Sequence, residues 1–83
     1  MDAKAVHDAV ARLHAELANA AALTPDLRAE LTVALRDIER ALGRRERPLA
    51  ARAEELAARL ETDHPKLAES ISALVRGLAG IGI

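Results

Sequence analysis

Apolar side chains recur every three or four residues along most of the 83-residue chain, and this spacing constrains the fold more than any other feature. Such spacing puts side chains on one face of an α-helix, whereas a half-buried strand needs strict alternation. Four seams can be followed, with the members Val6, Val10, Leu13 and Leu17; Leu27, Leu31 and Ile38; Leu56 and Leu60; and Leu67, Ile71, Leu74, Leu78 and Ile81. The pattern predicts an all-α chain in which each helix packs along its seam, as in a coiled coil.

Capping residues and helix breakers divide the seams into separate helices. Thr24 and Pro25 form a start signal, because a Thr side chain can accept a bond from a free amide and Pro suits the first helical position. Gly43 is a natural C-terminal stop. These signals predict helices at about 3–22, 25–42, 48–62 and 65–79, with a linker at 43–47.

The boundary between the last two predicted helices lies at Asp63, His64 and Pro65. Pro65 lacks an amide hydrogen and crowds the preceding turn, so it breaks or kinks a helix. We expect Asp63 or His64 to cap the final helix. The last two seams are out of phase, which favours two helices, and a single helix kinked at Pro65 is the alternative.

The apolar residues include no Phe, Tyr or Trp. Aromatic side chains bury about 150–250 Å² each and dominate many cores. Hydrophobic residues make up 51 % of the chain, but 20 of them are alanines, so the core buries less apolar area per residue. We therefore expect antiparallel helical hairpins that form a three- or four-helix bundle and complete it by self-association, with a homodimer as the predicted state.

A cluster of arginines surrounds the predicted linker, and we call it the arginine cluster: Arg40, Arg44, Arg45, Arg47 and Arg52. It is the best candidate for an anion or nucleic-acid contact. The formal net charge of −1 argues against a strongly basic nucleic-acid binder, and no aromatic residue is present to stack on bases. The simpler interpretation, which we prefer, is a helix C-terminus followed by a solvated loop.

Residues with catalytic or metal-binding chemistry do not form a motif in this sequence. There is no Cys, which excludes disulfides and thiolate zinc sites. His7 and His14 lie seven residues apart, roughly 10.5 Å along a helix, too far for one metal ion. Asp63 and His64 are adjacent and cannot orient each other as a catalytic dyad does. We predict no catalytic site, no metal, no cofactor and no enzymatic activity.

Charged residues also bear on location. Lys4, Asp8, Arg12 and Glu16 interrupt residues 1–23, so no signal peptide is expected there. No run approaches the roughly 20 apolar residues that span a bilayer. The predicted location is the cytoplasm, without membrane contact.

Four stretches make the chain resemble a family of short bacterial proteins that is known as a domain of unknown function. The stretches are Leu13-His14; Leu35-Arg-Asp-Ile38-Glu-Arg-Ala-Leu42; Asp63-His64-Pro65-Lys-Leu67; and the terminal Gly82-Ile83. The family ends in Met-Gly-Ile, whereas this chain has Ile81 in place of the Met, and residues 43–50 do not match closely. The resemblance implies no activity, but it makes His64, Pro65 and residues 78–83 the first positions to test.

Taken together, seams on every helix and the lack of a catalytic motif predict a non-enzymatic, self-associating interaction or scaffold module. The expected partner is a second copy, or another helical protein that binds the apolar, glycine-rich C-terminal tail. Because Gly77, Gly80 and Gly82 weaken a helix, we expect the last helix to fray near Gly80. Weak nucleic-acid or anion binding through the arginine cluster is the alternative function.

Overall fold

The computed structural model describes residues 3–83, which form four α-helices and three short connections. The helices are α1 (Ala3–Asn19), α2 (Pro25–Gly43), α3 (Leu49–Leu60) and α4 (Pro65–Gly80). No strand occurs within that range. The predicted all-α bundle is therefore confirmed, and the last two seams belong to two separate helices.

Each helix packs against two neighbours, so the four helices form a closed ring in the order of the chain. The α3–α4 contact is the most extensive and the α2–α3 contact is the sparsest, while α1 packs against both α2 and α4. Side-chain contacts join the end of one helix to the start of the next: Arg59 of α3 contacts Glu30 of α2, and Glu16 of α1 contacts Ser70 of α4. Neighbouring helices are therefore antiparallel.

The core within the described residues contains only apolar side chains. Most seam positions are buried, namely Val6, Val10, Leu13, Leu17, Leu31, Ile38, Leu56, Leu60, Leu67, Ile71, Leu74 and Leu78. Leu27 and Ile81 are only partly buried and pack against the edge of the core. Leu23 and Ile83 are buried although they lie outside the predicted helices.

The first helix ends at Asn19, three residues before the predicted end. Residues 20–22 are alanines, which favour helix, but tertiary contacts outweigh that propensity. Leu23 turns into the core, and its amide donates to Ala20 O at 3.3 Å. The Arg28 guanidinium of α2 donates to Leu17 O and, at 2.8 Å, to Ala20 O. One carbonyl in the last turn of α1 and the first carbonyl beyond the helix thus accept bonds from a side chain of the next helix.

The second helix begins as predicted but ends differently. Thr24 Oγ1 accepts a bond from Leu27 N at 3.2 Å, and Pro25 occupies the first turn. At the other end Gly43 is the last residue of the helix, but it does not take the left-handed conformation. The left-handed residue is Arg45, with φ 54°, and the amides of Arg45 and Glu46 donate back to the last turn. This arrangement is a Schellman motif with arginine where glycine is usual.

The connection from α3 to α4 lacks the predicted side-chain cap. His64 occupies the N-cap position of α4, but no side-chain capping bond is present there. Its backbone amide donates to Leu60 O at 2.8 Å instead. The third helix spans Leu49–Leu60 and so is shorter than predicted at both ends, with Pro48 in the N-cap position.

The last helix ends at Gly80, the residue near which fraying is expected, and the glycine-rich tail after it forms a hydrogen-bonded turn. Gly82 has φ 81°, and the amides of Gly82 and Ile83 donate to Ala79 O and Leu78 O, both at 3.1 Å. These bonds form a second Schellman motif. The Ile83 carbonyl then accepts the amides of Leu49 and, at 3.1 Å, Ala50, so the tail caps α3, which has no side-chain cap.

Candidate interaction surface

The residues with potential catalytic chemistry are not brought together. His14 is half-buried and lies 3.4 Å from Glu39, while His7 is exposed and Asp63 points to solvent. In the described part of the chain, no three His, Cys, Asp or Glu side chains form a group able to hold a metal ion.

A small void lies among the core side chains of Leu13, Leu17, Leu31, Leu35, Leu56, Leu67 and Ile71. It measures about 10 Å³, too small and too apolar to hold an ordered water. The larger cavities described below are open grooves on the outer surface.

A groove of about 240 Å³ runs between α2 and α3, where the helix contact is sparsest. Its floor is apolar and is formed by Ala34, Ile38 and Leu56. Its walls are charged and are formed by Asp37, Arg52, Glu55 and Arg59. The opening follows from the sequence, because the residue that faces α3 at position 34 is alanine, too small to fill the space between the helices.

Val33 lies beside this groove and is 56 % exposed, the only large hydrophobic side chain so exposed among the described residues. It falls on the same stripe of α2 as Glu30 and Asp37, three and four residues away. We define the α2 ridge as the exposed residues Asp26, Glu30, Val33, Asp37, Arg40 and Arg44. The seam analysis missed Val33 because the residue lies off the seam. The signal for it was an apolar residue within a charged stripe.

The grooves of the α3–α4 and α1–α4 pairs are lined by no leucine or isoleucine, unlike the α2–α3 groove. The groove between α3 and α4 measures about 360 Å³, but its floor consists of alanines and its edges carry Glu54, Glu61 and Glu69. The α1–α4 groove is lined mainly by charged and hydroxyl side chains, and Ser70 Oγ donates to Glu16 Oε2 at 2.8 Å across it. The α2–α3 groove with Val33 is therefore the best candidate for contact with another protein.

The arginine cluster lies at the end of the bundle where α2 finishes and α3 begins, and all five side chains are exposed. Arg40 and Arg44 approach Asp37 and Glu46 at 4.0 and 3.7 Å. The remaining three, Arg45, Arg47 and Arg52, form no ion pair within residues 3–83. The cluster is brought together at one end but builds no enclosed pocket.

The C-terminal tail is not a free surface, since Ile83 is 6 % exposed and Leu78 is fully buried. A partner that used residues 78–83 would have to displace them from α3. None of the helices traced in the structure is long and apolar enough to cross a membrane.

Fold and surface together define a small four-helix bundle with a closed aliphatic core and a groove on one side. The family model for the domain of unknown function DUF4404 matches residues 6–83. The chain therefore belongs to the DUF4404 family. Searches of curated proteins and of solved structures find no match.

Proposed function

We propose that this DUF4404 protein is a non-enzymatic interaction module that pairs with a second copy through the α2–α3 groove and the α2 ridge. The observation that carries the proposal is the exposed Val33, one helical turn from Asp37 in the wall of an apolar-floored groove, whereas the other large hydrophobic side chains of the described residues are buried or partly buried. Exposed apolar surface bordered by charged residues is typical of protein–protein contact.

The dimensions of the molecule support a second copy as the occupant. A stable interface buries roughly 800 Å² on each partner, about one sixth of the 5182 Å² surface of this chain. The bundle measures 32 × 20 × 18 Å, so a contact of that area takes up a whole long face and includes both the groove and the ridge. The walls of the groove carry both signs of charge, as a surface that pairs with itself requires. A cytoplasmic location belongs to the same proposal and is supported by the charged exterior.

Sedimentation velocity over a micromolar concentration series tests the pairing. We expect the wild type to shift from monomer to dimer with concentration and Val33→Glu to remain monomeric, because the substitution puts a negative charge at the centre of the contact, close to Asp37 of the ridge. Ala11→Glu, at an exposed position of α1, is the matched control and should dimerise like the wild type. A wild type that stays monomeric throughout would refute self-association.

Anion or nucleic-acid binding is the second candidate function, and the three unpaired arginines favour it. Arg47→Gln with Arg52→Gln should weaken binding to a duplex oligonucleotide, and wild-type affinity should fall steeply with salt as counterions are released. Fluorescence anisotropy measures both effects. No binding by the wild type at low salt would remove this candidate.

A further inference from the structure

The α2 ridge carries its charges in a fixed order along one exposed line of the helix. Asp26 and Glu30 come first, Val33 and Asp37 occupy the middle, and the ridge ends in arginine. The steps between successive ridge residues alternate between four and three, which keeps all of them on one stripe. The N-terminal half of the ridge is therefore acidic, and its C-terminal end is basic.

The ion pairs that the ridge now makes do not fix these charges in place. Arg40 lies 4.0 Å from Asp37, and the two side chains are 75 % and 52 % exposed. Glu30 pairs with Arg59 in a similarly exposed position. Exposed ion pairs contribute little to the free energy of folding, so these side chains can pair with a second protein instead with little loss of stability.

The ends of the bundle repeat the polarity of the ridge. The arginine cluster lies at the end where α2 finishes, whereas Glu61 and Asp63 join Asp26 and Glu30 at the opposite end. The net charge of −1 hides this separation. Two copies that lie side by side are thus attracted when they point in opposite directions and repelled when they point the same way.

We infer that two copies of the chain pair antiparallel along the α2 ridge, with the basic end of one ridge against the acidic end of the other. This inference rests on the proposed function and adds the orientation and the facing residues. Pairing centred between Val33 and Asp37 puts Asp26 opposite the partner's Arg44 and Glu30 opposite the partner's Arg40. The two Val33 side chains then lie about one helical turn apart at the centre.

Charge-reversal variants distinguish antiparallel from parallel pairing. One variant carries Asp26→Lys and Glu30→Lys, a second carries Arg40→Glu and Arg44→Glu, and a third combines all four changes. In an antiparallel dimer of either double variant, four pairs of opposite charges become pairs of like charges. Each exposed pair is of modest strength, and four together should lower the dimer affinity by at least about tenfold. The fourfold variant restores opposite charges and should dimerise like the wild type.

Mixing identifies the orientation directly. Native mass spectrometry of the fourfold variant mixed with mass-labelled wild type should show two homodimers and few heterodimers, because the mixed antiparallel pair opposes like charges. A preference for heterodimers would indicate parallel pairing and overturn the inference. Unchanged affinity of both double variants would overturn it as well, by showing that the ridge is not in the contact.

Further controls keep the proposals distinct. Neutral changes, Asp26→Asn with Glu30→Gln, should weaken the dimer less than reversal and disturb α2 less, and far-UV circular dichroism verifies folding of every variant. A wild type without any dimer refutes the proposed function, whereas a dimer that ignores the ridge charges refutes only the orientation.

Discussion

Two glycines near helix ends should respond in opposite directions to the same substitution by alanine. Gly82 has φ 81°, a backbone conformation that costs a residue with a side chain about 1–2 kcal/mol. Gly43 lies inside the last turn of α2, where alanine is favoured over glycine by about 0.5–1 kcal/mol. A Cβ added at either position meets no atom within 4 Å, so the backbone alone decides the sign.

For a chain of this size, about 1 kcal/mol shifts the melting temperature by roughly 4–8 °C. Gly82→Ala should therefore lower the melting temperature by several degrees, and Gly43→Ala should raise it. Far-UV circular dichroism is the suitable probe, because the chain has no aromatic chromophore. All variants must be compared at one protein concentration, since self-association would couple to unfolding.

Arg45→Gly is the matched third variant. Arg45 occupies the same position of a Schellman motif as Gly82 but carries a side chain at φ 54°, so glycine should stabilise the fold by about 1 kcal/mol. Urea unfolding checks all three signs. A neutral Gly82→Ala, or a destabilising Gly43→Ala, would show that the left-handed residues have been placed wrongly.

Two further substitutions and one deletion test contacts between helices and at their ends. Arg28→Met should lower the free energy of unfolding in urea by about 1.5–3 kcal/mol, because two carbonyls near the end of α1 lose a charged donor. A loss below about 0.5 kcal/mol would contradict the contact. Deletion of Ile83 should remove hydrogen-exchange protection from the amides of Leu49 and Ala50, and persistent protection would show that the tail does not cap α3. Thr24→Ala should cost about 1 kcal/mol by thermal unfolding, from loss of the N-cap bond, and an unchanged melting temperature would argue against the cap.

Periodicity predicted the four helices and most of the large side chains that they bury, because the spacing of apolar residues directly reflects which face a helix buries. Val10 and Leu74, for example, can be assigned to the core from their spacing in the sequence alone. The same reasoning could not place Ile83, whose burial depends on a turn after α4 that returns the chain to α3.

Helix ends were harder to predict than helix interiors, for a physical reason. The end of α1 depends on Arg28, a residue of the next helix that no local pattern links to the carbonyls it binds. The turn after α2 puts Arg45 rather than Gly43 in the left-handed conformation, which reverses the residue preference on which the prediction relied. The candidate surface was found from the structure, because Val33 gains significance only once its neighbours are seen to be buried.

The contact between the tail and α3 also bears on the order in which the chain folds. The α3–α4 hairpin has the most extensive helix contact, a connection of four residues, and Ile83 bound to the start of α3 at its far end. Short connections bring helices together at little entropic cost, whereas α1 has to wait for distant α4. We therefore expect this hairpin to form the folding nucleus, on which α1 and α2 dock later.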